Sequence, residues 1–339
     1  MVNLNLSFSI SHFSYKEEIQ VQKYKLLKNR FLSVLLSDRA DLTKEVMAEI
    51  DFSPLPHFHL YLLEEWKYTL DSFFKENSLS MDLIILEVPY FNMVKKPSVI
   101  YEGELLFIIE SILFIMIEKR APEVLAGIKN RQIKINDLYT QNSQNEKKID
   151  CLKIKIRPTP DSLLKTQLIL KEQLLVNPAI LFRLDGNQSF ELEELIYFMN
   201  QLELSGGTSF FNSIEYLEEP LKKSSDYFSF FHLYPYPQAL DESIMAFSHN
   251  LEFLKNLPPS TTLVLKPSLL GISKCFEIMA QGKACALKIV ISSSYEALSA
   301  MDPLFFLAAD NPLSYHGFDT LKFLPFRSSN NIKNCFILL

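Results

Sequence analysis

The sequence predicts an α/β chain, with a small α+β unit followed by a parallel sheet of repeated strand-then-helix units, open or closed into a barrel. Three observations carry this. Before Pro122, short apolar runs precede longer helical patterns. After Pro122, apolar strands alternate with helix-like segments. Five of those later strands end, one after another, in charged residues.

Composition bounds the reading. The chain has 339 residues, 48% hydrophobic and 22% charged, enough to bury a large core and too apolar for intrinsic disorder. A net charge of -6 argues against a general nucleic-acid binder, which needs a basic face. Only 8 glycines occur, and neither GxGxxG nor GxxxxGK[ST] is present, so a glycine-rich phosphate cradle has no support. Cys151, Cys275, Cys285 and Cys335 form no CxxC pair and read as buried thiols of a reducing compartment. The N-terminus alternates apolar and polar residues, unlike a secretory signal, so a cytoplasmic location is expected. The most apolar run, residues 105–117, is interrupted by Glu110 and Ser111. A membrane span needs about 20 apolar residues, so this run is a buried helix and no membrane partner is expected.

In order along the chain, strands are predicted at residues 2–10, 30–36 and 45–50. Pro54 and Pro56 then forbid a helix and stiffen a loop. A helix is predicted over 59–75, with Leu60, Leu63, Trp66, Tyr68 and Leu70 mostly on one side, and the buried helix over 104–119. Beyond Pro122, strands are predicted at 149–156, 179–184, 214–217, 238–240, 262–265 and 287–291. Helices are predicted at 162–175, 191–202 and 271–281, with a polar linker at 140–148.

The chemistry lies at the strand ends. Lys153 and Lys155 share one face of the first of these strands, because residues i and i+2 point the same way. The next strands end in Asp185, then Glu218, then Asp241, then Lys266. In a parallel β/α barrel such ends converge on one face, where active sites lie. A charged residue that ends one strand means little by itself. Five in order, with lysines outermost and acids in the middle, form a pattern. Three carboxylates on neighbouring strands repel unless a cation compensates them, and oxygen donors suit Mg²⁺. A hard cation between two lysines suits removal of a proton next to a carboxylate.

These residues resemble the enolase superfamily in its muconate-lactonizing subgroup. The carrying phrases are Lys153-Ile154-Lys155, Leu184-Asp185-Gly186-Asn187, Leu217-Glu218-Glu219-Pro220, Asp241-Glu242-Ser243 and Lys266-Pro267-Ser268. Further phrases are Ser292-Ser293-Ser294-Tyr295-Glu296, Gly317-Phe318-Asp319-Thr320 and, upstream, Ala48-Glu49-Ile50 before the diproline. Within the subgroup they most resemble the o-succinylbenzoate synthase family. The resemblance implies a modified (β/α)₇β TIM-type barrel, residues 122–321, under an α+β capping domain, residues 1–121, completed by 322–339. It implies Mg²⁺, with Mn²⁺ as a substitute, on Asp185, Glu218 and Asp241, and no ligand role for Glu219 or Glu242. Lys155 would be the acid/base and Lys153 would lower its pKa. Lys266 would stabilise an enediolate from the opposite face, and Asn187 would support the metal ligands. The implied reaction is a dehydration that yields o-succinylbenzoate, in menaquinone biosynthesis. Its substrate is a small carboxylate, and a monomer or weak homo-oligomer is expected. The subgroup's N-acylamino acid racemases share these lysines and acids, and a non-catalytic binding barrel is a third reading.

Smaller signals remain. Ser292 and Ser293 follow a strand and would hydrogen-bond a substrate carboxylate, or simply form a polar loop. Gly317 would admit the substrate to the backbone, or serve a turn. Arg183, two residues before Asp185, faces the same interior and needs a carboxylate partner, because an unpaired buried arginine is too costly. Apart from His57-x-His59, the histidines show no metal-ligand spacing.

Overall fold

Three antiparallel strands open the chain: β1 (Leu4–Val21), β2 (Tyr24–Asp38) and β3 (Val46–Phe52). The computed structural model describes residues 4–21, 24–38, 46–53, 63–76, 103–120, 132–139, 149–223, 225–234, 236–247, 250–294, 296, 298–320 and 337–338. The diproline turn, His57, His59, the linker at 140–148 and Cys335 lie outside these residues. The β1–β2 ladder runs from Leu4 opposite Asp38 to Val21 opposite Tyr24, with a register shift between Ser14 and Ile19. It is much longer than the sequence suggests, because the pairing beyond Ile10 rests on backbone hydrogen bonds that leave no clear apolar alternation to read.

Two helices pack on this meander. Helix α1 (Leu63–Glu76) buries Leu63, Trp66 and Leu70, a spacing of three and four residues that makes one stripe. Tyr68, expected on that stripe, is 76% exposed, because two residues past Trp66 is the far side of a helix. Helix α2 (Gly103–Arg120) is apolar on nearly all sides, with Ile108, Ile109, Ile112 and Phe114 all buried, as the sequence predicts. Phe107 meets Phe52 of β3 edge to face at 6.0 Å.

The barrel begins with a strand that the sequence reading missed: β4 (Gln132–Ile135) and β5 (Asp137–Leu138), interrupted at Asn136. Then come β6 (Cys151–Lys155), β7 (Leu181–Asp185), β8 (Ile214–Glu218), β9 (Gln238–Leu240), β10 (Thr262–Leu265) and β11 (Lys288–Ile291). These six fall on the predicted runs. Strands β5 to β11 form one parallel sheet in chain order. The connecting helices are α3 (Pro160–Val176), α4 (Leu192–Ser213), α5 (Asp226–Leu233), α6 (Glu242–Phe247), α7 (Pro267–Leu270), α8 (Ile272–Ala284) and α9 (Asp302–Ala309). Helix α4 outruns the predicted helix and is broken at Gly207, whose φ of 60° is the left-handed region that glycine tolerates.

A last short strand, β12 (Tyr315–His316), closes the ring. It pairs in parallel with β4, and Gly317 bridges Ser292 just past β11. The Gly317 N–H donates to Ile291 O at 2.9 Å, and the Asn136 N–H donates to His316 O at 3.1 Å. The result is a modified (β/α)₇β barrel of the TIM type under an N-terminal α+β cap. Of residues 322–339, which the sequence assigned to the cap, the structure describes only β13 (Ile337–Leu338), and it pairs with β4 of the barrel. Tyr216, Ala239, Val264 and Val290 pack together as one inward layer of side chains. No described helix is long and apolar enough to cross a membrane. Cys151 and Cys275 are buried free thiols, and Cys285 is half-buried.

His316 locks the closure. Its Nδ1 accepts the Ile291 N–H at 3.0 Å, so its Nε2 carries the proton towards Asn311 O, 3.1 Å away. Burial is the main force that pushes its pKa down, to about 4. Below its unfolded value, near 6.5, the unfolded chain takes up a proton that the folded imidazole refuses, so stability falls as pH drops towards 4. The expected loss between pH 7 and 4 is roughly 3 kcal/mol. Urea denaturation of wild type and His316→Gln between pH 7 and 4 tests this. The wild type should lose stability over that range more steeply than the variant, and parallel curves would refute the role.

Candidate active site

The carboxyl ends of the strands enclose a cavity of about 510 Å³. Every residue picked out from the sequence lines it: Lys153, Lys155, Arg183, Asp185, Asn187, Glu218, Asp241, Lys266, Ser292, Ser293 and Gly317. The strand register explains the convergence. Lys155 stands opposite Asp185, and Asp185 opposite Glu218, so these strands end at one level. Strands β6 and β10 lie four places apart around the closed ring, so Lys155 and Lys266 approach the cavity from opposite walls.

The acids are deeply buried: Asp185, Glu218 and Asp241 are 5%, 2% and 7% exposed. Lysines compensate them directly. The Lys153 ammonium lies 2.7 Å from Glu218 Oε1 and 3.1 Å from Asp185 Oδ2. Lys266 donates to Asp241 and lies 3.4 Å from Glu242 Oε1. Burial alone would lower both ammonium pKa values, but these carboxylates outweigh it and raise them. Burial pushes Asp185 up, and Lys153 and Lys155 overcome it to hold the carboxyl below its usual range. Asp241 behaves oppositely. Burial, reinforced by Glu242 and only partly offset by Lys266, holds it well above that range.

Lys155 keeps solvent access within the cavity and makes no such short ion pair among the described residues. Its amine is held below the ordinary lysine value, first by loss of hydration, against the pull of Asp185, and then by repulsion from Lys153, Arg157 and Lys266. A lysine that sheds its proton more readily is a better base at neutral pH.

The supporting residues differ in detail from expectation. Asn187 acts through its backbone, with its N–H donating to Asp185 Oδ1 at 3.0 Å. Arg183 finds its carboxylate in Glu215, at 2.7 Å, rather than in the three acids, and it stacks on the Tyr216 ring at 4.7 Å. The Ser293 hydroxyl donates to Gly317 O at 3.1 Å and also meets Thr320 Oγ1. Gly317 packs so closely that a Cβ there would lie 2.5 Å from Ser292 Oγ, so the residue serves barrel closure as well as the cavity wall.

The sequence reading undervalued Glu219. It is fully buried and adopts a φ of 38°, uncommon for a residue with a side chain. Its Oε1 accepts the N–H groups of Asp241 at 2.7 Å and Ser243 at 2.8 Å. Its Oε2 accepts the Ser243 and Tyr227 hydroxyls, both at 2.9 Å. Glu219 therefore fixes the end of β9 and with it Asp241. Arg157 and Asp319 also line the cavity. Arg157 was legible, since it continues the alternation of Lys153 and Lys155. Asp319 stood in the sequence only within the phrase Gly317-Phe318-Asp319-Thr320, and its Oδ2 accepts the Leu138 N–H at 2.6 Å across the barrel seam.

Three buried carboxylates from adjacent strands, with no sulfur or imidazole donor among them, are the donor set of a hard divalent cation. Among the described residues, no three acidic, histidine or cysteine side chains already surround one point. The donor chemistry fits a divalent cation.

The chain shares the fold of solved enolase-superfamily proteins. An enolase family member from Agrobacterium tumefaciens with homology to dipeptide epimerases superimposes with a TM-score of 0.70 at 13% identity, over 97% of this chain and 94% of that one. The o-succinylbenzoate synthase from Thermosynechococcus elongatus BP-1, complexed with Mg in its active site, superimposes with a TM-score of 0.68 at 17% identity, over 97% of each chain. By sequence the chain is similar to the o-succinylbenzoate synthase of Haemophilus influenzae, 31% identical over 152 residues. That match covers 44% of this chain and 44% of the relative, so the chain spans less than half the length of the curated relative it matches. No protein-family profile matches the chain.

Replacing Glu219 with leucine would leave the two backbone amides and two hydroxyls without their acceptor. Unsatisfied buried donors cost about 1–3 kcal/mol each before relaxation. The expected outcome is a loss of about 3 kcal/mol or more in chemical denaturation, with Glu219→Gln much milder. Equal stability of Glu219→Leu and wild type would contradict the role.

Proposed function

We propose that this chain is a Mg²⁺-dependent carbon–oxygen lyase that dehydrates 2-succinyl-6-hydroxy-2,4-cyclohexadiene-1-carboxylate to o-succinylbenzoate and water, within menaquinone biosynthesis. The supporting observation is the set of three buried carboxylates on consecutive strands, faced from opposite walls by Lys155 and Lys266. The sequence relatives named o-succinylbenzoate synthase favour this substrate.

Asp185, Glu218 and Asp241 would hold the metal, with Mn²⁺ able to replace Mg²⁺. When bound, the cation neutralises the substrate carboxylate and steadies the charge that follows proton loss. Lys155 takes the proton from the carbon that bears the carboxylate, forming a lysine ammonium and an enediolate. Lys153 lowers the pKa of that amine by like-charge repulsion, so that more of it is free to take a proton. The Lys266 ammonium faces the enediolate from the far wall. The Lys155 ammonium then returns its proton to the departing hydroxyl as the ring becomes aromatic, so one base serves a syn elimination. Ser292, Ser293 and Gly317 line the wall nearest the substrate's polar groups. The reading places the chain in the cytoplasm with a small-molecule carboxylate as its partner.

Lys155→Ala should lower kcat by about 10³-fold or more, read as o-succinylbenzoate formation, with circular dichroism and Mg²⁺ binding preserved. Full activity in that variant would sink the proposal. A second reading rests on the two lysines at opposite walls, the arrangement that 1,1-proton transfer uses. In an N-acylamino acid racemase, one lysine removes the Cα proton and the other delivers a proton to the opposite face. Exchange of Cα deuterium into an N-succinyl amino acid, faster than o-succinylbenzoate is formed, would favour it.

A further inference from the structure

Glu110 stands in the middle of α2, only 1% exposed, in an otherwise apolar helix. Among the described residues, no group of the cap hydrogen-bonds it. Its carboxylate reaches the barrel instead. It accepts the Ile272 N–H, and it accepts the Ser273 N–H at 3.2 Å from either oxygen. These are the first amides of α8, which have no acceptor inside their own helix.

Two glycines allow the approach. A Cβ on Gly103 would lie 2.0 Å from Leu269 O, and one on Gly271 would lie 2.8 Å from Leu106 Cδ2 and 3.3 Å from Glu110 Oε2. Gly271 also takes a φ of 83°. Helix α2 therefore lies flat on the turn 267–271. That turn hangs from Lys266, whose carbonyl accepts the N–H groups of Leu269 at 3.0 Å and Leu270 at 3.1 Å. The Gly271 N–H closes it on Pro267 O at 2.8 Å. The short chain from Leu270 to Ile272, hydrogen-bonded on one side to Lys266 O and on the other to Glu110, thus links the cap carboxylate to the backbone of Lys266.

We propose that Glu110 is a positioning residue: the buried carboxylate of the cap fixes the turn that carries Lys266 and so sets that lysine's reach into the cavity. Burial pushes the carboxyl pKa up to about 7 against the lowering effect of the amides, so a neutral amide side chain in its place is a close substitute. Cys275, on α8, is the titratable side chain that faces it from the barrel, and it is itself held protonated by burial.

The effect on turnover rests on the function proposed above, so the test has two arms on the full chain with Mg²⁺. The first is backbone deuterium exchange over residues 266–273, read by mass spectrometry. The second is kcat and KM for o-succinylbenzoate formation, referred to folded protein. In Glu110→Leu, exchange of that segment should rise about tenfold or more, and kcat should fall about tenfold with KM within about twofold. Glu110→Gln should restore both. The kcat loss should shrink in a Lys266→Arg background, because Glu110 then has no lysine left to place. Unchanged exchange in Glu110→Leu, or faster exchange with unchanged kcat, overturns the proposal. A loss undiminished beside Lys266→Arg also overturns it. If Glu110→Leu fails to fold, Glu110→Ala takes its place. A wild-type chain that makes no o-succinylbenzoate defeats the functional reading, and the exchange arm then decides this one alone.

Discussion

The rest of the structure is organised around charge compensation at one end of the barrel. Three carboxylates lie almost wholly out of water, and isolated buried carboxylates are too costly to persist ionised. Lys153 answers two of them and Lys266 the third. This requirement constrains the barrel. Strands β6 to β8 end in register, and β9 and β10 carry Asp241 and Lys266 to the same cavity, so that side chains from separate strands meet.

Around that centre, polar groups are held by other polar groups instead of by apolar packing alone. Glu219 secures the end of β9, the Asn187 backbone secures Asp185, and Arg183 binds Glu215 beneath the site. The Glu219 and Arg183 contacts each join two different strands or the loops that follow them, and the Asn187 contact steadies the end of β7. The rigidity of the site therefore depends on the closure of the ring, and the closure depends on His316 and on the absence of a side chain at Gly317. The cap joins the same system through Glu110 and through the Asp51 N–H, which donates to Ser299 Oγ at 2.8 Å.

Much of the barrel was legible because buried parallel strands read as short apolar runs, and because the polar residue that ends each run is the one that meets the cavity. Six strands fell where their runs lie. The two that close the ring did not. Strand β12 has two residues and β4 has four, too short for any period to show. The β1–β2 extension was hidden for a related reason, since backbone pairing leaves little trace in side-chain pattern. The lysines and acids were found by their order. Glu219 was set aside because it falls one residue after Glu218, and only the fold shows its carboxylate turned onto the backbone of the next strand.

The sequence by itself determined which side chains could share a cavity, because alternation along a strand and the spacing of successive units are local properties of the chain. It also determined the buried character of α2. The tertiary structure decided the pairings: Lys153 with Glu218, Arg183 with Glu215, and Glu110 with the start of α8, residues 162 positions apart. Such choices depend on distances of a few ångströms between segments remote in sequence. Electrostatic and hydrogen-bond energies change steeply over those distances, and no local pattern encodes them.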